Sequence, residues 1–361
     1  MSIKNDKYFI NLANNLAKNS LGYSGPNPSV GAIVVKNNKI ISFANTSFSG
    51  RPHAETNALN KLSFNKKKKS TIYISLEPCV HQGKTPPCVN EIIKSKIKRV
   101  VYSIQDKDKR TSGKSLKILK SKKINVTKNL LSHSSKSIYK NYFYTRNFKR
   151  PYVYGKIAIS RDSYTKDKNN FFITNEHSIK TAHIIRSKVN CILTTSNTIN
   201  DDNPKLNCRI DGLNLFSPKI AILDRSLKIN KNSYLIKNAK KNKTFLFYNF
   251  KDKNKIKFLK SKKIKLIYTP ILKKKLDIDF VLKKLFQFDI SSILVEGGKS
   301  LIQSMLINNY FNEFYLFISS KYLKKKGTLK IKKIRSVLSS KFKNFKSNET
   351  FLYKDNLIHY H

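Results

Sequence analysis

The sequence predicts an α/β protein built from two domains in tandem. Three observations lead there. The chain has 361 residues, long for one hydrophobic core and comfortable for two. Strand-like and helix-like runs alternate, most regularly after residue 150, and that alternation favours a mostly parallel sheet flanked by helices. A polar and aromatic helical stretch over 133–150 ends at Arg150-Pro151, where a new strand begins, so the domains are read as 1–147 and 150–361.

In the first domain, Tyr8, Phe9, Leu12, Ala13, Leu16 and Ala17 recur at helical spacing, so an amphipathic helix covers 6–19. The loop Gly25-Pro26-Asn27-Pro28 follows. Val30–Val35 and Ile40–Ala44 flank Asn37-Asn38, a hairpin signal. Thr56, Asn57, Ala58, Leu59 and Leu62 continue a short helix, and Lys66–Lys69 reads as a solvated turn. Strands are expected over Thr71–Leu76, Arg99–Ile104 and Ile124–Thr127. Helices are expected over Val89–Lys94, which Pro86-Pro87 suits as a start, and over Leu116–Lys122. Asp106–Ser115 reads as a loop.

In the second domain, strands are expected over Pro151–Ser160, Asn190–Thr195, Lys219–Leu223, Thr244–Tyr248, Lys263–Tyr268, Ser292–Val295 and Glu313–Ser319. Helices are expected over Glu176–Ser187, Lys251–Lys260, Ile278–Phe288 and Ser300–Asn308. Lys324–Lys333 is low in complexity and reads as an exposed edge.

The formal net charge is +52. Taken alone it predicts nucleic acid or an anionic surface as partner. The lysines, however, are spread along the whole chain with abundant Asn and Ile, the mark of AT-rich codons rather than of a binding face. The expectation is therefore no specific nucleic-acid partner, with an attractive field for phosphorylated substrates. Four cysteines make no disulfide framework. Cys191 lies in an apolar run and Cys208 in a loop-like one. No run approaches the roughly 20 apolar residues of a membrane span. A soluble, cytoplasmic protein is expected, with a homo-oligomer left open.

The most informative stretch runs from Arg51 to Asn90. It holds Pro52-His53-Ala54-Glu55 and, after a basic spacer, Leu76-Glu77-Pro78-Cys79-Val80-His81-Gln82-Gly83-Lys84-Thr85-Pro86-Pro87-Cys88. His53, Cys79 and Cys88 are a ligand set suited to Zn2+, and three protein ligands leave a fourth position open for water. Bound zinc lowers the pKa of that water to about 7. Glu55, two residues past His53, is placed to move its proton. A structural zinc knuckle would leave Glu55 without a purpose. The H-x-E and P-C pattern marks zinc deaminases of bases and nucleosides.

A second cluster is Val295-Glu296-Gly297-Gly298-Lys299-Ser300-Leu301, a strand, two glycines and a helix start. Such a turn lets backbone N–H groups approach a phosphate. Alone it is equally a bland αβ turn.

Eight residues separate Cys79 from Cys88, where nucleic-acid deaminases have two. The longer form, with His-x-Gly-x-Thr-Pro-Pro-Cys inside it, resembles the deaminase half of the bifunctional riboflavin-biosynthesis deaminase–reductases. Lys156-Ile157-Ala158-Ile159-Ser160-Arg161-Asp162, Phe172-Ile173-Thr174 and Thr198 to Leu206 with Arg209 resemble the reductase half, in the family's order. The resemblance implies a cytidine-deaminase-like domain followed by a dihydrofolate-reductase-like one. It implies zinc at His53, Cys79 and Cys88 and a proton shuttle at Glu55. It implies NADPH contacts at Ala158, Phe172, Thr198, Asp202 and Gly298, and substrate contacts at Asn170, Arg186, Leu206, Arg209 and Glu296. Guanidinium forks at Arg186 and Arg209 suit a ribose phosphate; by residue type alone each serves equally as an ion-pair partner. Asn27 holds the base or ribose, or shapes its turn.

The sequence departs from the family at Ser163 and Thr195, where Gly is usual, at Phe172, where Trp is common, at Asp106-Lys107, where Asp-Pro is usual, and at the lysine-rich 324–327. The expected substrates are small phosphoribosylaminopyrimidines. The rivals are a deaminase with a decayed reductase half and a nucleic-acid deaminase.

Glu55→Gln is expected to keep bound zinc, measured by metal analysis, and to abolish ammonia release. Deamination surviving that change would remove Glu55 from the proton-transfer role.

Overall fold

The computed structural model describes residues 3–169, 172–348 and 352–361. The chain divides into two compact units, Met1–Arg150 and Pro151–His361.

The first unit is a five-stranded sheet. Its strands are β1 (Gly31–Lys36), β2 (Lys39–Asn45), β3 (Thr71–Ile74), β4 (Arg99–Tyr102) and β5 (Asn125–Thr127), in the order β2-β1-β3-β4-β5. β1 is antiparallel to β2 and β3, whereas β3, β4 and β5 run parallel. The turn between β1 and β2 places Asn37 and Asn38 at φ 50 and 60, the left-handed pair that a tight hairpin needs. β1 is buried on both faces. Ala32 and Val34 join one cluster with Leu59, Ile72 and Val100, while Ile33 and Val35 join another with Phe9, Ile10 and Ala13. Each fully buried Val, Leu, Ile or Phe here is worth about 1.5–3 kcal/mol. Helix Ile3–Asn19 lies so close that a Cβ on Gly31 would fall 2.1 Å from the Ala13 carbonyl. Only glycine fits there.

The second unit carries the longer sheet. Its strands are β6 (Tyr152–Ile159), β7 (Tyr164–Asp167), β8 (Cys191–Thr195), β9 (Lys219–Leu223), β10 (Phe245–Tyr248), β11 (Lys265–Tyr268), β12 (Ile271–Leu272), β13 (Lys275–Leu276), β14 (Ser292–Val295), β15 (Glu313–Ile318), β16 (Gly327–Lys330), β17 (Phe345–Asn348) and β18 (Asn356–Tyr360). Nine of them form one sheet in the order β11-β10-β9-β8-β14-β6-β15-β18-β17. It is parallel from β11 to β15, and β18 and β17 close it antiparallel. Helices Glu176–Ser187, Lys253–Ser261, Ile278–Gln287 and Lys299–Ile307 fall where the periodicity predicts them. The mostly parallel α/β reading stands.

Several elements escape the sequence pattern. Lys66–Lys69 is not wholly a turn, since Phe64–Lys67 forms one helical turn. The lysine-rich stretch after Leu323 is more than a plain edge: β16 pairs antiparallel with β7. The strand is four residues set among lysines, with little apolar pattern of its own, and its partner lies far back in the chain. Gly327 is needed there, because a Cβ would come 2.4 Å from the Tyr164 ring.

The turn joining β6 to β7 holds Ser163 at φ 71, in the left-handed region that favours glycine. Hydrogen bonds over-determine it. The Ser160 hydroxyl donates to Asp162 at 2.6 Å and accepts from the Tyr164 N–H at 2.9 Å. Asp162 also accepts from the Leu323 and Lys324 N–H groups at 3.1 and 2.8 Å. Relieving the Cβ strain outweighs the extra unfolded-chain entropy of glycine. Ser163→Gly is expected to stabilise the second domain by roughly 0.5–1 kcal/mol, read from the urea midpoint. A lowered midpoint would show that the turn has no strain to release.

Candidate active sites

Three separated segments meet in the first unit. His53 is the N-cap of helix Ala54–Asn60, Cys88 opens helix Cys88–Lys94, and Cys79 lies in the loop beyond β3. Their ligand atoms all lie within 4.8 Å of one another. His53 Nδ1 is 3.2 Å from Cys88 Sγ and 3.6 Å from Cys79 Sγ. The Cys88 N–H, at a helix start, donates to Cys79 Sγ at 3.3 Å, a setting that favours thiolate. Hydrogen bonding from Cys88, then from His53, lowers the Cys79 thiol to about 4, and the bond to Cys79 raises His53. Metal binding exchanges such protons for the ion.

Glu55 sits in the first turn of its helix, only 3% exposed, and its Oε2 has no hydrogen-bond partner. Burial raises its pKa. A buried carboxylate oxygen is rarely left unpaired unless a water or ligand belongs beside it. One nitrogen and two sulfurs fit a four-coordinate zinc with its fourth position open to water, and the unpaired Glu55 oxygen suits a partner for that water.

The supporting contacts include residues the sequence reading did not single out. Glu77 is buried and accepts from the N–H groups of Asp106, Gly113 and Ser115 at 3.2, 3.0 and 3.3 Å, and from the Ser115 hydroxyl at 2.7 Å. It thus ties the cysteine loop to the segment after β4. Asp106, where the usual Asp-Pro is broken, caps the Asp108 N–H at 2.8 Å. Arg51 Nη1 donates to the Thr85 hydroxyl and lies 3.5 Å from His53 Nε2. Asn27 donates to the Gly50 carbonyl at 3.2 Å, which supports the turn-shaping alternative.

In the second unit the charged residues gather past the carboxyl ends of β8 and β14, neighbours in the parallel sheet. Ligands bind at such ends in open α/β sheets. Arg186 donates Nε and Nη2 to the two oxygens of Glu296 at 2.6 and 2.9 Å, and Lys156 Nζ lies 3.6 Å from Glu296 Oε2. All three side chains are largely buried. The sequence reading offered the Arg186 fork to a ribose phosphate. The structure gives that fork to Glu296, and the remaining Nη1 donates to the Asn207 carbonyl at 3.3 Å. Nor is the pair a surface one. Arg209 is exposed, and its Nη1 donates to Asn207 Oδ1 at 2.9 Å. Leu206 is buried at φ 47, a strained conformation for leucine.

Thr195, at a usual glycine position, has a local purpose. Its hydroxyl oxygen caps helix Ser196–Asp202 by accepting from the Thr198 N–H at 3.2 Å. Thr198 Oγ1 in turn accepts from the Gly298 N–H at 3.1 Å, so these two expected cofactor residues touch. Asp202 pairs with Lys166 at 2.5 Å. Ala158 is half-buried in β6 and Phe172 is 48% exposed. Asn170 lies outside the described residues. Lys156, His183 and Asn207 were not predicted as site residues; only the Lys156 motif gave a signal.

Burial by itself would raise the Glu296 pKa, but the charges of Arg186 and Lys156 hold it down at about 2. A carboxylate depressed in the folded state adds stability above its ordinary value of 4.5, lost as pH falls toward about 2. Glu296→Gln strands two buried cations. It is expected to cost about 3–5 kcal/mol in denaturant unfolding and to flatten the acid limb of stability between those two pH values. An unchanged acid limb would mean that Glu296 does not carry it.

Comparison with known proteins covers both units. A family profile described as the cytidine and deoxycytidylate deaminase zinc-binding region matches residues 3–104, and one described as the RibD C-terminal domain matches 151–345. The riboflavin biosynthesis protein RibD of Aquifex aeolicus is 33% identical over 320 residues, 88% of either chain. That of Buchnera aphidicola subsp. Baizongia pistaciae is 34% identical over 333 residues, again 88% of either chain. A Thermotoga maritima structure described as a diaminohydroxyphosphoribosylaminopyrimidine deaminase/5-amino-6-(5-phosphoribosylamino)uracil reductase aligns with TM-score 0.81, 26% identity and 99% of each chain. Acinetobacter baumannii RibD has TM-score 0.84 at 24% identity, covering 100% of this chain and 99% of its own, a likeness of fold. The first domain is therefore of the zinc-binding deaminase class, and the second is a reductase of the kind that draws on a nicotinamide cofactor. Since relatives above 30% identity align across both domains and over most of their own length, the chain belongs to the RibD family of riboflavin-biosynthesis enzymes, a deaminase followed by a reductase.

Proposed function

We propose that residues 1–147 deaminate diaminohydroxyphosphoribosylaminopyrimidine and that residues 150–361 then reduce 5-amino-6-(5-phosphoribosylamino)uracil with NADPH. The observation that carries the first step is the meeting of His53, Cys79 and Cys88 beside the unpaired oxygen of buried Glu55. When bound by those three ligands, zinc supplies a water of lowered pKa. Glu55 takes a proton at Oε2 and delivers it to the departing amine, and burial, by raising its pKa, makes the carboxylate a readier acceptor of that proton. The Glu77 bonds hold the cysteine loop still while this happens.

In the second step NADPH supplies the hydride that reduces the ribosyl C1. Thr198 and Gly298, joined by their hydrogen bond, form the cofactor's phosphate side, with Ala158, Phe172 and Asp202 as further contacts. Leu206, Arg209 and Glu296 hold the substrate, together with Asn170. Arg186 belongs to this group through Glu296, which it fixes, and Arg209 offers the exposed guanidinium to the phosphate. Thr195 has a structural role as a helix cap, which argues against a decayed domain. All four cysteines are free thiols, which suits a reducing compartment, and we place the enzyme in the cytoplasm. No described helix is long and apolar enough to cross a membrane.

The test is NADPH oxidation by zinc-loaded protein given the already deaminated ribosylamine phosphate. Loss of the NADPH absorbance is expected. No oxidation, with ammonia still released from the diamino substrate, would leave a deaminase whose second domain has another role.

A further inference from the structure

The loop over 203–209 bends through two left-handed residues, Asn203 at φ 41 and buried Leu206 at φ 47. Neither is glycine, so the surroundings must hold the bend. The holding groups come from helix Glu176–Ser187. His183, 4% exposed, places Nδ1 2.9 Å from the Asn207 carbonyl oxygen and 3.3 Å from the Arg209 nitrogen. Arg186, three residues on and therefore on the same helix face, donates to that same carbonyl. Glu296 fixes Arg186 from the far side. Asn207 Oδ1 accepts from Arg209 Nη1. An unbroken series of contacts thus runs from the sheet end to an exposed guanidinium.

Burial, with Arg186 and Arg209 alongside, lowers His183 to about 4, so the ring is neutral at neutral pH. A neutral ring carries one N–H. With the proton on Nδ1 the ring donates to the Asn207 carbonyl, and with it on Nε2 the ring accepts from the Arg209 N–H, so either tautomer ties His183 to the loop. His183 therefore adds no positive charge that would push Arg209 away.

We propose that His183 is a positioning residue for the second-domain reaction: by gripping the Asn207 carbonyl it holds the bent loop and presents Arg209 to the phosphate of a phosphosugar substrate. This rests on the reading of that domain as a reductase of a phosphoribosyl compound, and it names the element that sets the receptor's geometry. His183 touches no reacting atom.

The experiment is calorimetric binding of ribose 5-phosphate to the full-length protein at physiological ionic strength, where long-range attraction to the cationic surface is screened. His183→Leu removes the grip, and His183→Asn keeps a donor near the Nδ1 position. Losing one buried hydrogen bond predicts about tenfold weaker binding for His183→Leu. Recovery to within about threefold is expected for His183→Asn, and unchanged affinity for unphosphorylated ribose. Arg209→Ala should weaken binding similarly, and adding His183→Leu to it should weaken it no further, because the two act as one unit. Equal binding by wild type and His183→Leu overturns the proposal, as do additive losses or an equal loss for unphosphorylated ribose. Absence of phosphosugar binding by the wild type also overturns it. NADPH turnover is read separately: the expected binding pattern without turnover would sink the reductase reading and leave the role of His183 standing.

Discussion

The first domain depends on bringing one strand end and two helix starts to the same point. Parallel pairing of β3 with β4 sets where the chain leaves the sheet toward Cys79. Close packing of helix Ile3–Asn19 on Gly31 anchors the other side of that sheet. The two ligand-bearing helices are short, seven residues each, and gain little stability from propensity alone. Packing holds them: Ala58 and Leu59 of one and Val89 and Ile92 of the other are buried in the same cluster. A helix start is a fitting place for a thiolate or carboxylate because its N–H groups point outward with partial positive charge.

In the second domain the organising feature is a set of buried charges at the sheet's carboxyl end. Burying Glu296, Arg186 and Lys156 is costly unless each is paired, and the bidentate geometry of Arg186 supplies the compensation. Once fixed, Arg186 becomes a rigid prop for the loop that follows helix Ser196–Asp202. Rigidity there gives orientation, on which hydride transfer between two bound molecules depends.

The high charge takes on a different meaning in this light. The chain has 73 basic and 21 acidic residues. Among the described residues, nine acids are buried: Asp6, Glu55, Glu77, Asp106, Asp108, Asp224, Glu296, Glu313 and Asp355. Most of these have fixed partners, as when Asp6 receives the Arg99 fork and the Tyr73 hydroxyl. Acids are thus concentrated where a buried donor needs them, which leaves the surface still more cationic than the total implies. Such a surface attracts phosphorylated ligands without discriminating among them.

By itself the sequence determined the α/β class and most strands and helices, and it singled out His53, Cys79, Cys88 and Glu55, which the fold brings together. Those features are local: apolar period reports burial, and His-x-Glu with Pro-Cys states its chemistry within a few residues. Tertiary structure alone decided the partners. Nothing near Arg186 in the chain announces Glu296, 110 residues away, and nothing near Glu77 announces Gly113 or Ser115. Nor could β16 be seen in a lysine run before β7 came to pair with it. Side-chain type says which bonds a group is able to make; only the folded path of the chain says which group it meets, because a buried charge takes the partner that packing brings within about 3 Å.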